Sequence, residues 1–359
     1  MIAFIAWTPL HVINILNTKL TYYADTDADL YIYNEFKGSR QVYENCLKEN
    51  IFKNIYLVDY KKMGNKIISR MNVLLNINQM VTLNKKLEYD IIFTQGGNYF
   101  LKILYGQTKK NNPNVKLKYI EDGLATYLNV ALLNTSILKK RIMNIINPHS
   151  MFLADITDYY LYEPKLTNIN QSFHLNRLPV IKKNSALYNQ LKRIFGLTTK
   201  EKNMSNTLLF LDQPLEKDGY EVNEDKIIIF LKKYASNKQF LVKLHPRTST
   251  ERYEAETKLL KTDLPLELCF LAYDLRNTLI VSCLSTASFT PRMMFGLENE
   301  VILLSEMVRS DRDFSTKDKR TQEVLTGVSD FYERYHSAGY KNVLMPTNKK
   351  ELKSILKGE

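Results

Sequence analysis

Short apolar segments alternate along this chain with segments long enough to form helices, and this alternation constrains the fold more than any other feature. In the first half, the apolar segments lie at residues 2–6, 30–33, 55–58, 91–94 and 117–120. Strands joined by crossover helices form parallel sheets that helices cover on both faces. Thr8 and Pro9 predict the start of a helix that runs to about Tyr23, because both residue types favour a helix amino terminus.

The same pattern begins again after a polar run at residues 198–206. Strands are predicted at 208–211, 240–244, 278–282 and 301–304, and helices at 224–234, 288–297, 319–335 and 349–356. We therefore expect an α/β fold of two doubly wound, Rossmann-like lobes with mostly parallel sheets. Two-lobed binding proteins and some epimerases show this pattern too, so the pattern alone leaves the function open.

The 359 residues are enough for two hydrophobic cores. We expect an N-terminal lobe over residues 1–165, in which residues 153–162 could extend the first sheet. An irregular linker is expected over residues 166–206. The C-terminal lobe, with its terminal helices, is expected over residues 207–359.

The net charge of +12 favours anionic partners such as a nucleotide, an acidic sugar or anionic lipid, although a lysine-rich surface also accounts for it. The run Lys139-Lys140-Arg141 could touch anionic lipid or form a solvated helix face. Three cysteines without a pair spacing favour a reducing compartment. No apolar run is long enough to span a membrane, so we expect a cytoplasmic protein that at most contacts the membrane surface.

Asp122 lies just past a predicted strand end, where open α/β sheets place their ligand sites. A carboxylate at this position could take a proton from a substrate hydroxyl. It could also cap a helix that begins at Leu124. Glu121 need not face the same side, because neighbours on an extended chain alternate.

Polar groups also follow predicted strands in the second half. His245 could donate a hydrogen bond to a phosphate or act as a general acid, and Arg247 adds a positive charge nearby. The hydroxyls of residues 282–288 precede a predicted helix, where they could bind an anion or cap the helix. Glu267 lies in the strand-like segment Pro265–Leu268 and could accept hydrogen bonds from a ribose or be a surface charge.

Three further motifs carry less weight. Asp25 and Asp27 resemble a metal-binding Asp-x-Asp pair, but they lie in a polar turn, which aspartate favours in any case. Residues 95–98 follow a strand without the glycine spacing of a dinucleotide-binding loop, and they are better suited to letting the backbone approach a ligand. Cys283 has no histidine at a spacing that would make it a nucleophile.

Four short motifs occur in order: Thr8-Pro9-Leu10, Glu121-Asp122-Gly123, His245-Pro246 and Ser285-Thr286. Together they resemble the motifs of the bacterial sialyltransferases of GT-B fold, and the first is most similar to the opening of glycosyltransferase family 52, the lipooligosaccharide sialyltransferase group. The resemblance covers the chain from Thr8 to about Glu298. It implies inverting transfer of sialic acid from CMP-sialic acid to a galactose-terminated glycan of lipooligosaccharide or capsule, with no metal or other cofactor.

The resemblance also implies roles for individual residues. Asp122 corresponds to the general base, and His245 corresponds to the catalytic residue at the donor phosphate. The remaining residues that we expect at the donor are Pro246, Arg247, Glu267, Ser285 and Thr286. The candidates on the acceptor side are Thr8, Gly96, Gly97 and Glu121.

Three functions stay open at this point. The first is the sialyltransferase, acting at the inner face of the bacterial plasma membrane on a nucleotide sugar and a glycan, without nucleic acid. The second is a related transferase of another nucleotide sugar, such as a glucosyltransferase. The third is a non-catalytic nucleotide- or glycan-binding protein. A homodimer, with or without domain swapping, is compatible with each of them.

Overall fold

The computed structural model describes most of the chain. The described residues are 1–59, 87–128, 152–168, 173–197, 203–235, 238–245, 247–253, 257–262 and 264–358. By their internal contacts they divide into two units, Met1–Thr198 and Thr199–Glu359.

The first unit is built on a parallel sheet of seven strands in the order β3-β2-β1-β4-β5-β6-β7. Its strands are β1 (Ile2–Ala6), β2 (Ala28–Tyr33), β3 (Asn54–Val58), β4 (Ile91–Thr94), β5 (Lys116–Ile120), β6 (Ile156–Leu161) and β7 (His174–Arg177). Every residue of β1 and β2 is buried, as expected for strands that are covered on both faces.

The helices of the first unit follow its strands. They are α1 (Pro9–Tyr22), α2 (Ser39–Glu49), α3 (Tyr99–Asn111), the single turn α4 (Ala125–Leu128) and α5 (Ala186–Ile194). The predicted start of α1 is confirmed, since Thr8 is its N-cap and Pro9 its first residue. The Thr8 hydroxyl accepts a hydrogen bond of 3.2 Å from the backbone N–H of His11.

The second unit contains a parallel sheet of five strands in the order β12-β11-β10-β8-β9. The strands are β8 (Thr207–Leu211), β9 (Gln239–Lys243), β10 (Leu279–Ser282), β11 (Val301–Leu303) and β12 (Val343–Leu344). The helices are α6 (Glu224–Tyr234), α7 (Leu266–Ala272), α8 (Thr290–Phe295), α9 (Ser305–Ser310), α10 (Lys319–Ser337) and α11 (Lys349–Lys357).

These two doubly wound units, each with a parallel sheet, confirm the predicted α/β fold class. The predicted strands of both halves are present within one or two residues at each end. Residues 153–162 do extend the first sheet, although Phe152–Asp155 form a 3₁₀ turn before β6.

One element was predicted wrongly. The segment Pro265–Leu268, expected to be a strand, begins helix α7, with Pro265 at the N-cap position. Short apolar runs do not distinguish strand from helix by periodicity. Leu, Glu and Ala favour the helix here, and four consecutive side chains from Leu268 to Leu271 are buried in it.

The structure also differs from the expected irregular linker over residues 166–206. That stretch contributes β7, which pairs with β6, and α5, which begins at the N-cap Ser185. Helix α5 packs on α2, where Asn45 donates a hydrogen bond to the Ile194 carbonyl and Arg193 pairs with Glu49. The polar run at 198–206 contains the division between the two units.

The strand orders locate the switch point of each sheet. The order reverses between β1 and β4 in the first sheet, and between β8 and β10 in the second. Ligands of doubly wound sheets bind outside the carboxyl ends of strands that flank such points. The residues that follow β1, β4 and β5, and those that follow β8, β9 and β10, lie at or beside these points.

Candidate functional site

Asp122 follows β5 at the carboxyl edge of the first sheet, and its carboxylate contacts a buried histidine. The Nε2 atom of His11 lies 2.8 Å from Oδ1 of Asp122. The His11 side chain is fully buried, whereas the Asp122 side chain is 37% exposed. Among the described residues, this carboxylate hydrogen-bonds to a side chain of α1. The capping alternative required a hydrogen bond to a helix amino terminus instead.

The backbone beside Asp122 is held as well. Its N–H donates to the Thr126 hydroxyl at 2.8 Å, and the side chain of Asn14 donates to the Glu121 carbonyl at 2.8 Å. Gly123 has a φ of 59°, in the left-handed region that glycine adopts without strain. The carboxylate therefore projects from a fixed turn.

Sequence reasoning missed His11. The residue lies within the first turns of α1, and 111 positions separate it from Asp122. The periodicity of α1 predicts only that its inner face is buried. The one available signal was a histidine on a helix whose amino terminus follows β1, a strand next to the switch point.

Glu121 lies behind the site, with 3% of its surface exposed. Its Oε2 atom accepts hydrogen bonds from the Tyr127 hydroxyl (2.5 Å) and from the backbone N–H of Tyr162 (2.8 Å). Burial raises the pKa of the Glu121 carboxyl to about 8, although these hydrogen bonds favour the charged form. This acceptor-side candidate thus lies in the core, where its hydrogen bonds connect the end of β5 with α4 and with the end of β6.

Glu121→Gln is expected to flatten the pH dependence of stability. Because the carboxyl pKa is raised from 4.5 to about 8 on folding, its contribution to stability is complete below pH 4.5 and is lost as the pH rises to about 8. The slope is about 1.4 kcal/mol per pH unit for one proton. Glutamine keeps the size and an acceptor oxygen without titrating. Urea-unfolding midpoints measured from pH 5 to 9 test this.

The matched control for this prediction is Glu44→Gln, at an exposed position of α2. Its midpoints should follow the wild-type pH dependence. Midpoints of Glu121→Gln that also run parallel to those of the wild type across this range would show that the Glu121 carboxyl does not titrate there.

The acceptor-side candidates Gly96 and Gly97 follow β4 at the switch point, and Gly96 lies against Trp7. Gly96 has a φ of 138°, and an added Cβ would lie 3.4 Å from the indole ring of Trp7. A Cβ on Gly97 would lie 3.0 Å from Leu153. The Gln95 side chain is 1% exposed and its Oε1 has no hydrogen-bond partner among the described residues. The positive φ is what favours glycine at 96, because the 3.4 Å separation from the indole is an ordinary van der Waals distance.

His245 follows β9 at the carboxyl edge of the second sheet and is half-buried. Its backbone N–H donates to Oδ2 of Asp212 at 3.0 Å. Asp212 is buried and also binds Arg252 (3.0 Å) and the Tyr253 hydroxyl (2.5 Å). This network fixes the start of the His245 loop beside the end of β8.

The imidazole of His245 has a defined tautomer. Its Nδ1 atom accepts the backbone N–H of Arg247 at 3.2 Å, so the ring proton lies on Nε2. Burial lowers the pKa of His245, and the positive charge of Arg247 lowers it further. The neutral ring can therefore donate a hydrogen bond from Nε2 to an anion.

The remaining donor-side candidates are placed as follows. The Arg247 guanidinium is held by Asp218 through two hydrogen bonds of 2.7 Å. The Ser285 hydroxyl accepts the Ala287 N–H at 3.2 Å and caps the 3₁₀ turn Thr286–Ser288, whereas no described side chain caps helix α8, so the alternative of a capped helix is not observed. Pro246 lies outside the described residues.

Glu267 occupies the first turn of α7 and is half-buried. Burial raises the pKa of its carboxyl. Lys243, at the end of β9, acts in the opposite direction on this pKa. Glu267 therefore lies in a helix and not in the strand-like segment expected from the sequence.

Two of the three motifs given less weight are placed as follows. Asp27 precedes β2, at the amino edge of the sheet, and pairs with Lys53. The thiol of Cys283 is fully buried, and burial raises its pKa well above the ordinary value. Among the described residues, no three His, Cys, Asp or Glu side chains are arranged to hold a metal ion.

The described helices include none that is both long and apolar enough to cross a membrane. The run Lys139-Lys140-Arg141, considered above as a lipid contact, lies outside the described residues.

Solved structures share this fold at low sequence identity. Spinosyn forosaminyltransferase SpnP matches with a TM-score of 0.51 and 7% identity, over 99% of this chain and 90% of that one. A UDP-N-acetylglucosamine 2-epimerase matches with a TM-score of 0.50 and 12% identity, over 99% of this chain and 86% of that one. These likenesses concern the fold, which is that of GT-B glycosyltransferases.

No curated protein matches the sequence. The family model described as alpha-2,8-polysialyltransferase matches residues 4–303, which include both Asp122 and His245. This match supports the assignment to bacterial sialyltransferases and does not single out family 52. The chain belongs to the alpha-2,8-polysialyltransferase family.

Proposed function

We propose that this protein is an inverting, metal-independent sialyltransferase that uses CMP-sialic acid as donor and Asp122 as general base. The family supports sialyl transfer. The observation that carries the mechanism is the Asp122 carboxylate, which is 37% exposed at the carboxyl edge of the first sheet, with one oxygen bound to buried His11. Within the described residues its other oxygen has no hydrogen-bond partner, so this oxygen can accept a proton from a hydroxyl group.

The proposed reaction is a single displacement. The acceptor hydroxyl gives its proton to Asp122 while its oxygen forms a bond to the anomeric carbon of sialic acid. The bond from that carbon to the phosphate oxygen of CMP breaks, and CMP leaves with the electron pair. Attack opposite the leaving group inverts the anomeric configuration. The Nε2–H of His245 stabilises the charge that develops on the phosphate.

The other donor-side residues have supporting roles in this proposal. Ser285 and Thr286 follow β10, and the proposal assigns them to binding the phosphate. Glu267 accepts hydrogen bonds from the ribose. Arg247 contributes positive charge while bound to Asp218, and it supplies the N–H that fixes the tautomer of His245.

The acceptor in this proposal ends in sialic acid. The description of the matched family names an α-2,8 linkage, which joins one sialic acid to the next. The galactose-terminated glycan expected from the sequence is the second candidate. Transfer to a panel of oligosaccharides ending in sialic acid or in galactose distinguishes them.

The donor class is tested by nucleotide binding. CMP is expected to raise the melting temperature more than UDP or GDP at equal concentration. A ligand at 100 times its dissociation constant adds about 2.7 kcal/mol of stability. CMP-sialic acid is then expected to support transfer in excess EDTA.

Three results would contradict this proposal. Preferential stabilisation by UDP or GDP would assign the protein to another nucleotide-sugar class. Transfer that stops in EDTA and returns with Mn²⁺ or Mg²⁺ would overturn metal independence. CMP binding without transfer to any acceptor of the panel would favour a non-catalytic binding protein.

A further inference from the structure

We propose that His11 is a positioning residue that determines which oxygen of Asp122 faces the acceptor hydroxyl. This inference rests on the proposed role of Asp122 as general base. His11 is separate from the substrate: its side chain is fully buried, and it acts through the carboxylate that it holds.

The hydrogen bonds of His11 determine its tautomer. Its Nδ1 atom accepts the backbone N–H of Trp7 at 3.4 Å. A neutral imidazole that accepts at one nitrogen carries its proton on the other. Nε2 is therefore the donor to Oδ1 of Asp122, at 2.8 Å. The proton abstracted from the acceptor then goes to Oδ2 of Asp122.

Contacts with neighbouring residues hold the His11 imidazole in place. The backbone N–H of His11 is capped by the Thr8 hydroxyl, and its carbonyl accepts from the side chain of Gln95 at 3.4 Å. The Trp7 ring meets the imidazole at 89°, with 4.3 Å between ring centroids. Groups following β1 and β4 thus hold the imidazole in one orientation.

The orientation of the Asp122 side chain matters for catalysis. An aspartate side chain that is 37% exposed would otherwise rotate among rotamers, and only some of these would present an oxygen to the acceptor. A base must lie within hydrogen-bond reach of the proton that it removes, and small displacements lower the rate strongly. Loss of the His11 contact should therefore lower kcat rather than weaken donor binding.

Two substitutions distinguish the roles of the Nδ1 and Nε2 atoms of His11. Asparagine places its amide near the position of Nδ1, where it can still meet the Trp7 N–H but cannot reach Asp122. Glutamine places its amide near the position of Nε2, where it can donate to Asp122. We expect His11→Asn to lower kcat on the order of 10- to 100-fold with CMP affinity unchanged, and His11→Gln to keep most of the wild-type kcat.

The control is His174→Asn, at an exposed position of β7, which should keep the wild-type kcat. Melting temperature and CMP affinity show that each variant is folded. The inference is overturned if folded His11→Asn keeps the wild-type kcat, or if His11→Gln loses as much as His11→Asn.

A double substitution links the effect to Asp122. If His11 acts through this carboxylate, adding His11→Asn to Asp122→Asn should lower the residual transfer by much less than 10-fold, since interacting residues are non-additive. A full additional 10-fold loss would contradict the inference. Normal turnover of Asp122→Asn itself would instead refute the proposed base, so failure of the inference and failure of the proposed function are distinguishable.

Discussion

Asp122→Asn is expected to lower sialyl transfer on the order of 10²-fold or more, because general-base catalysis typically contributes at least that much. Asparagine has nearly the same shape, and its amide oxygen can still accept the 2.8 Å hydrogen bond from His11. It cannot take the proton of the acceptor hydroxyl. Folding and CMP affinity should hardly change, since the Asp122 side chain is 37% exposed and belongs to the unit Met1–Thr198, whereas the proposed phosphate ligands belong to Thr199–Glu359.

The matched control is Asp27→Asn. Asp27 belongs to the same unit and is an exposed aspartate, but it precedes β2 at the amino edge of the sheet and pairs with Lys53. We expect this variant to transfer sialic acid at the wild-type rate. The base assignment fails if Asp122→Asn turns over at a near-normal rate, or if Asp27→Asn loses as much activity as Asp122→Asn.

The placement of Asp122 and His245 at strand ends could be predicted from the sequence because strands and helices alternate regularly in a parallel α/β fold. Buried strands appear as short apolar runs, and the residues that follow them lie at the carboxyl edge. Both residues do follow their predicted strands, β5 and β9. The roles that we assign to them are proposals, which Asp122→Asn and His245→Ala are designed to test.

The partners of these residues could not be predicted, because they depend on contacts between distant segments. His11 and Asp122 are 111 positions apart, and Asp212 and His245 are 33 apart. Arg247 shows the same limit, since its positive charge is visible in the sequence but its pairing with Asp218 is not. Periodicity describes which face of an element is buried and does not state what that face touches.

Neighbouring residues after a strand can differ in burial, and the sequence indicates this difference only in part. Alternation allows Glu121 and Asp122 to face different sides. The structure shows the result: Glu121 is 3% exposed and hydrogen-bonded within the core, whereas the Asp122 side chain is 37% exposed. The Tyr127 hydroxyl and the Tyr162 backbone N–H donate hydrogen bonds to the Glu121 carboxyl group, which stabilises its burial, and these two partners could not be read from the sequence.

His245→Ala is expected to weaken CMP binding and transfer together, each by about 10- to 100-fold, the range of a hydrogen bond to a charged group. The Nδ1 atom of His245 is occupied by the Arg247 N–H at 3.2 Å, so Nε2 carries the proton that we assign to the donor phosphate. Because burial lowers the pKa of His245, the ring binds as a neutral donor near pH 7. His245→Gln, which can place an amide N–H near the position of Nε2, should therefore recover much of the loss.

The phosphate assignment is tested by comparing CMP with cytidine in calorimetric titrations. His245→Ala should lower the affinity for CMP and leave the affinity for cytidine nearly unchanged, since cytidine lacks the phosphate. His336→Ala, at an exposed position of α10, is the matched control and should bind both ligands as the wild type does. If His245→Ala weakens cytidine binding as much as CMP binding, His245 contacts the nucleoside or supports the fold of its loop. The charge on the leaving phosphate would then be stabilised by other groups of the same edge.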